Sequence, residues 1–169
     1  MLGALCDAGV STDKLLAELK KINIGNYEFC CTRTMRCGVS ADRVEIKVSE
    51  NQPHRSMADI KKLIESSKLE EVVKSRALRV FLLLAEAEGR VHNKPVDEVH
   101  FHEVGAVDSI LDILGCSIGF EWLKLNEIYA SSVNVGGGRV KTQHGLYPVP
   151  SPATVELLKD IPTYSSGIE

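Results

Sequence analysis

The stretch LEEVVKSRALRVFLLLAEA, Leu69 to Ala87, is the longest periodic run in the chain, and its reading decides the fold. Leu69, Val72, Val73, Ala77, Val80, Phe81, Leu84 and Ala87 recur at helical spacing and form one apolar stripe, which predicts a long amphipathic helix as the spine of the core. On its N-terminal side, Ser56-Met57-Ala58-Asp59 approximates a capping box, in which the Ser56 oxygen satisfies an orphan amide of a helix carrying Met57, Ile60, Leu63 and Ile64. Ser67 with Glu70 repeats the device ahead of the spine. On its C-terminal side, His92-Asn93-Lys94-Pro95 has turn chemistry, Glu98 to Glu103 reads as extended, and Gly105 breaks it. Val107, Ile110, Leu111, Leu114 and Ile118 then form a second long stripe, with Trp122 and Leu125 near its end.

Farther out, Ser11-Thr12-Asp13 opens a short helix carrying Leu15, Leu16, Leu19 and Ile22. Tyr27, Phe29, Cys31 and Met35 alternate with polar neighbours, as do Val44, Ile46 and Val48, so two strands joined through Gly38 are expected. Glu127 to Val135 reads as a strand running into Gly136-Gly137-Gly138, and Ser151-Pro152 caps a last helix through Leu157 and Leu158. Helical and strand periods together predict an α/β or α+β fold, a small mixed sheet with packed helices, in a single domain over residues 1–169. Met1 to Ala8 reads as a helix already in progress, closed by Gly9, and Ser166 to Glu169 carries no closing element. Both ends read as cut.

Composition excludes more than it selects. Apolar residues are 44% and charged residues 25% of 169, ordinary for a globular chain. The net charge of −3 supplies no general field for nucleic acid, and the Lys61, Lys62 and Lys68 stretch is broken by Glu65, Glu70 and Glu71, so no nucleic-acid partner is expected. No membrane partner is expected either, because no run approaches the ~18 apolar residues of a span. The five cysteines, Cys6, Cys30, Cys31, Cys37 and Cys116, are odd in number and lack a C-x-x-C spacing. They indicate neither a disulfide framework nor a zinc ribbon and fit a reducing cytoplasm, where buried thiols act as small apolar groups.

The densest chemistry lies in His100-Phe101-His102-Glu103-Val104-Gly105-Ala106-Val107-Asp108-Ser109-Ile110-Leu111-Asp112. In an extended segment His100 and His102 share a face and can reach one cation. On the following helix Asp108 and Asp112 stand one turn apart, in line with Gly115 and Gly119, on a face free of bulky groups. Their like charges ask for a cation or basic partner. Imidazoles suit nickel or zinc and carboxylates suit magnesium or manganese, so the mixture does not choose the metal. Taken singly, an H-x-H or a spaced aspartate pair is as well explained by caps and surface hydrogen bonds. Gly136-Gly137-Gly138 with Arg139 and Lys141 offers backbone amides and two cations for a phosphate, although the spacing is not that of a P-loop and a turn between strands explains it equally. His144 follows, and Ser151 reads as a cap rather than a nucleophile.

HFHEVGAVDSILDILG, preceded by LAEAEGRVHNKPVDEV, resembles the LarC-type nickel-insertion family. Met1-Leu2-Gly3-Ala4-Leu5 is similar to the end of that family's opening segment. Val133-Asn134-Val135-Gly136-Gly137-Gly138 and His144-Gly145-Leu146-Tyr147-Pro148-Val149-Pro150-Ser151-Pro152-Ala153 resemble its later blocks. The resemblance implies a cytoplasmic lyase that inserts nickel into pyridinium-3,5-bisthiocarboxylic acid mononucleotide, making the nickel-pincer cofactor of lactate racemase. CTP and manganese or magnesium assist in that family. The lactate racemase apoprotein is an expected partner, and homo-oligomerisation is expected. The resemblance also implies an opening strand before Met1 and a second, C-terminal domain associated with nucleotide, so residues 1–169 correspond to an N-terminal domain. Within it, His102 and Glu103 are the candidate acid/base pair. His100, His102, Asp108 and Asp112 are the candidate metal ligands, and Arg139, Lys141 and His144 the candidate groups for substrate phosphate or carboxylate. A non-catalytic nickel store and a metal-dependent phosphate-ester hydrolase are the competing readings of the same cluster.

Overall fold

Side-chain hydrogen bonds cap the helices that start after Ser11 and Ser56, where the sequence places them. The computed structural model describes residues 1–48, 55–101, 105–142 and 145–167. Helix α1 (Leu2–Asp7) ends near Gly9, and Ser11 accepts a bond from the Lys14 amide to start α2 (Thr12–Leu19). Strands β1 (Tyr27–Arg36) and β2 (Val39–Val48) pair antiparallel in register from Tyr27 opposite Val48 to Arg36 opposite Val39. Their two-residue turn has positive φ at both Cys37 and Gly38, the handedness that matches the twist of a hairpin.

Strand β3 (Arg55–Ser56) leads directly into α3 (Met57–Glu65), where the capping box is complete. The Asp59 amide donates to Ser56 Oγ at 3.1 Å, and the Ser56 amide donates back to Asp59 Oδ2 at 2.9 Å. The spine is α4 (Glu71–His92), closed by Asn93 in the left-handed conformation. A 3-10 turn (Val96–Glu98) precedes β4 (His100–Phe101), and α5 (Val107–Trp122) follows. The remainder comprises β5 (Val133–Asn134), β6 (Arg139–Thr142), β7 (Gly145–Pro148), α6 (Pro152–Leu157) and β8 (Thr163–Tyr164).

The core lies between α5, α4, α3 and α2, with α1 and the inner face of the hairpin closing one side. Val107, Ile110, Leu111, Leu114 and Ile118 are all buried, as their spacing predicts. Phe81 of α4 is fully buried and meets Phe101 of β4 with ring centroids 6.1 Å apart at 59°. Burying one such side chain contributes roughly 1.5 to 3 kcal/mol. Tyr27, Phe29, Cys31, Val44, Ile46 and Val48 pack half-buried on the core from the hairpin.

Several expectations change. The chain is mixed α/β, but among the described residues its strands form four separate two-stranded sheets rather than one mixed sheet, and of these only β5 with β8 is parallel. The buried line of α4 runs Val73, Ala77, Phe81 and Ala85, continuing from Leu69 ahead of the helix and joined by Ala87 near its end, which leaves Val72 and Val80 on its exposed flank. Ser67 does not cap α4. Its hydroxyl donates to the Ile64 carbonyl at 2.6 Å, and Glu70 takes the cap position without a side-chain bond. The strand expected over 127–135 shortens to Val133–Asn134; of that expected over 98–103, His100–Phe101 is extended, Glu98 ends a 3-10 turn, and residues 102 and 103 lie outside the described residues. Met35 stands at 69% exposure because the hairpin projects beyond its support. Ser151 precedes α6 without capping its backbone, and Ser151 Oγ pairs with Thr154 Oγ1 at 2.9 Å instead.

Candidate functional site

Strand β4 reaches its place by pairing with β3, Ser56 opposite His100 and Arg55 opposite Phe101. Alternation along so short a strand still divides its faces: Phe101 is buried against Phe81, and His100 is exposed. His100 therefore sits over the α3 entrance, close enough to Asp59 to act on its charge. The hydroxyl and amide of Ser56 hold Asp59 below the usual carboxylate range, with His100 adding a smaller electrostatic contribution. On the far side of this segment Arg55 Nη1 donates to the Gly105 carbonyl at 2.8 Å, pinning the entry to α5. Arg55 is a positioning residue that no motif in the sequence singles out.

Helix α5 presents the two aspartates on one face, as their spacing requires. Asp108 Oδ1 accepts from the neighbouring Ser109 amide at 2.8 Å, an interaction local to the helix start. Asp112 is lifted above the ordinary carboxylate range by partial desolvation. The amino group of Met1 opposes that shift, and the charge of Asp108 adds to it. One turn on, burial pushes the Cys116 thiol up to about 11, so it is protonated at neutral pH and is no ready thiolate ligand.

The continuation of that face is not open. A Cβ on Gly115 would lie 2.6 Å from Leu2 Cδ2, and one on Gly119 would lie 2.7 Å from Leu5 Cδ1. The glycines are the seat of α1, and close helix packing explains them without a ligand. The acidic half of the stripe thus borders the start of α1, whereas His100 borders α3. Among the described residues no three His, Cys, Asp or Glu side chains stand close enough together to hold a metal ion. His102, Glu103 and His144 lie outside the described residues.

Arg139 and Lys141 share one face of β6, opposite Pro148 and Leu146 of β7, and both are exposed. The glycine turn before them is already engaged by the protein. The Gly136 amide donates to Asn134 Oδ1 at 3.1 Å, its carbonyl accepts from Ser165 Oγ at 2.7 Å, and the Gly138 carbonyl accepts from the Val149 amide at 3.1 Å. Positive φ at Gly136 and Gly138 serves this turn. Open clefts lie elsewhere, among them one of about 470 Å³ beside Arg90 and Lys94, one of about 360 Å³ beside Arg79 and Leu82 and one of about 310 Å³ beside Glu71 and Lys74, and no candidate residue lines any of the three.

No helix among the described residues is long and apolar enough to cross a membrane. No solved structure matches the chain. Relatives are nevertheless plain. A putative nickel insertion protein of Syntrophobacter fumaroxidans is 50% identical over 169 residues, which is 100% of this chain and 43% of that protein. The pyridinium-3,5-bisthiocarboxylic acid mononucleotide nickel insertion protein of Clostridium kluyveri is 44% identical over 180 residues, covering 99% of this chain and 45% of its own length. The protein of that name from Desulfitobacterium hafniense is 40% identical over 169 residues, covering 100% of this chain and 42% of its own length. The chain thus spans less than half the length of the curated relatives it matches. The family model described as nickel insertion protein matches residues 1–169, and the chain belongs to that family.

Proposed function

We propose that this chain forms the metal-handling part of a nickel-insertion protein that loads nickel into pyridinium-3,5-bisthiocarboxylic acid mononucleotide, producing the nickel-pincer cofactor of lactate racemase. The carrying observation is the family match over residues 1–169 together with the names of the Clostridium and Desulfitobacterium relatives as mononucleotide nickel insertion proteins. Nickel is cargo in this reaction. It ends bound to one carbon and two sulfurs of the mononucleotide, so a ring proton must leave as the nickel–carbon bond forms. His102 or Glu103 accepts that proton, within the segment joining β4 to α5. His100, His102, Asp108 and Asp112 meet the metal at the two ends of that segment, and imidazole is a suitable donor for nickel. Arg139, Lys141 and His144 serve the phosphate or a carboxylate of the substrate.

In this reading the reaction uses CTP and a manganese or magnesium ion in a cytoplasmic setting, and the product is delivered to the lactate racemase apoprotein. The described residues do not fit a resident divalent ion, since no three donors converge among them. The engaged Gly136 amide is likewise no ready triphosphate cradle.

Nickel transfer by the longer protein, assayed with His102→Ala and Asp108→Ala, tests the site. The expected result is a loss of about 100-fold in rate for the His102 variant. Unchanged transfer in both variants overturns the cluster. Calorimetric titration of the chain with nickel, manganese and zinc tests metal binding separately. A stoichiometric nickel site that disappears when His100 and His102 are both alanine supports the assignment.

A further inference from the structure

Cys6 and Cys31 are 25 positions apart in sequence, yet the fold brings them together. Helix α1 lies across β2 so closely that a Cβ on Gly3 would run into the Asp42 carbonyl. One turn further along the same face of α1 comes Cys6, which is buried in the core. On the hairpin, Cys31 stands opposite Val44 on the inner face, beside Phe29 and Tyr27, half-buried against that same core. The next residue pair fixes the alignment: Arg33, two positions beyond Cys31 on that face, bonds both Asp7 and its cross-strand neighbour Asp42. Cys31 lies near enough to Cys6 to add to the rise in its thiol pKa that burial begins, and Thr12 opposes that rise. Cys30 points to the opposite face of β1, where it bonds Glu28, and Cys37 occupies the hairpin turn. Neither is placed to compete for Cys6.

We propose that Cys6 and Cys31 are a redox pair, converted by a small-molecule disulfide such as glutathione disulfide into an intramolecular bond that fastens α1 to the hairpin.

Cys31 is the more accessible of the two and reacts first. Its thiolate attacks one sulfur of glutathione disulfide, forming a mixed disulfide and releasing one glutathione thiolate. Cys6 then loses its proton and attacks the Cys31 sulfur, releasing the second glutathione. Two protein thiols are oxidised and one glutathione disulfide is reduced to two glutathiones. Burial holds the Cys6 thiol above its ordinary value, so the second step is the slower one and is accelerated by alkaline pH. The bond closes a loop that includes all of α2, and it locks the helix seated on Gly115 and Gly119, next to Asp112.

The test uses the purified chain equilibrated in glutathione buffers of rising disulfide fraction. Titratable thiols are expected to fall from five to three, with loss of the mass of two hydrogens and a 6–31 cross-linked peptide. The Cys30→Ala/Cys37→Ala variant leaves the pair untouched and should form the same bond. In Cys6→Ser the expected product is a glutathione adduct at Cys31 and no internal bond. Closure should raise Tm by about 5 to 10 °C. A Cys30–Cys37 bond as the internal product overturns the proposal. So do adducts on Cys31 while Cys6 remains a free thiol, or a Cys30→Ala/Cys37→Ala variant that forms no bond.

Discussion

Residues 1–119 and residues 127–167 are built on different terms. Every buried side chain among the described residues belongs to the first region, where α1 to α5 and the hairpin share one apolar core ending at Ile118 and Gly119. Among its described residues the second region has four short strands in two pairs and one six-residue helix, and none of them is buried. Its main attachment is α6 against α4, with Arg90 bonded to Glu156 at 3.4 Å across the contact. The candidate metal residues thus ride on the cored region, and Arg139 and Lys141 ride on the thinly held one. A site drawing on both would need its two halves held in register by few contacts, which makes the second region the natural place for motion on substrate binding.

That contrast can be broken from the cored side first. Phe81→Ala removes the fully buried ring that meets Phe101 and should cost about 3 to 5 kcal/mol, measured by denaturant unfolding of the whole chain. Gly3→Ala drives a methyl group into the Asp42 carbonyl and should cost about 1 to 3 kcal/mol, with hydrogen exchange rising in α1 before other helices. If exchange rises equally everywhere, α1 is not a separable piece. On the thin side, Arg90→Ala should barely move the global unfolding midpoint yet speed proteolytic cleavage within residues 127–167. A loss of global stability there would mean the two regions unfold as one unit.

The smallest effect concerns pH. Asp112 has its folded pKa raised by desolvation, so ionisation opposes folding. Its contribution is most favourable below the unfolded value and declines as pH rises towards and through the folded one. Asp112→Asn should flatten the stability profile in the mildly acidic range and give a slightly more stable protein at neutral pH. Glu156 runs the other way. Its lowered pKa, from Lys159 first and Arg90 second, means its support is present above the unfolded value and lost on acidification.

The periodic elements were legible because burial repeats on a short length scale. The α5 stripe, the Tyr27–Val48 hairpin and the Ser56 capping box can all be read from spacing alone. What spacing does not carry is which flank of a stripe finds a neighbour. Val72 and Val80 fit a helical face as well as Val73 does, yet only Val73 is covered. Gly115 and Gly119 look like room left for a ligand until Leu2 and Leu5 arrive from more than 100 residues away. The same limit applies to the candidate site. The aspartate pair was readable as a face of α5, whereas the placing of His100 over Asp59 follows from β3 pairing with β4, two residues long on each side.

The hairpin has ten residues in each strand, roughly 33 Å of ribbon. Only the half from Tyr27 to Cys31, with Val44 to Val48 opposite, rests on the core, and Met35 and Val39 at the far end are exposed. In mechanical terms it is a cantilever, clamped at its root, with Arg33 as the last fastening before the free span. A sideways load at the Cys37–Gly38 tip is resisted by neither core nor neighbour until it reaches the Arg33–Asp7 contact. The first element to feel that torque is α1, so a weight on the tip is registered at the helix lying beside Asp112.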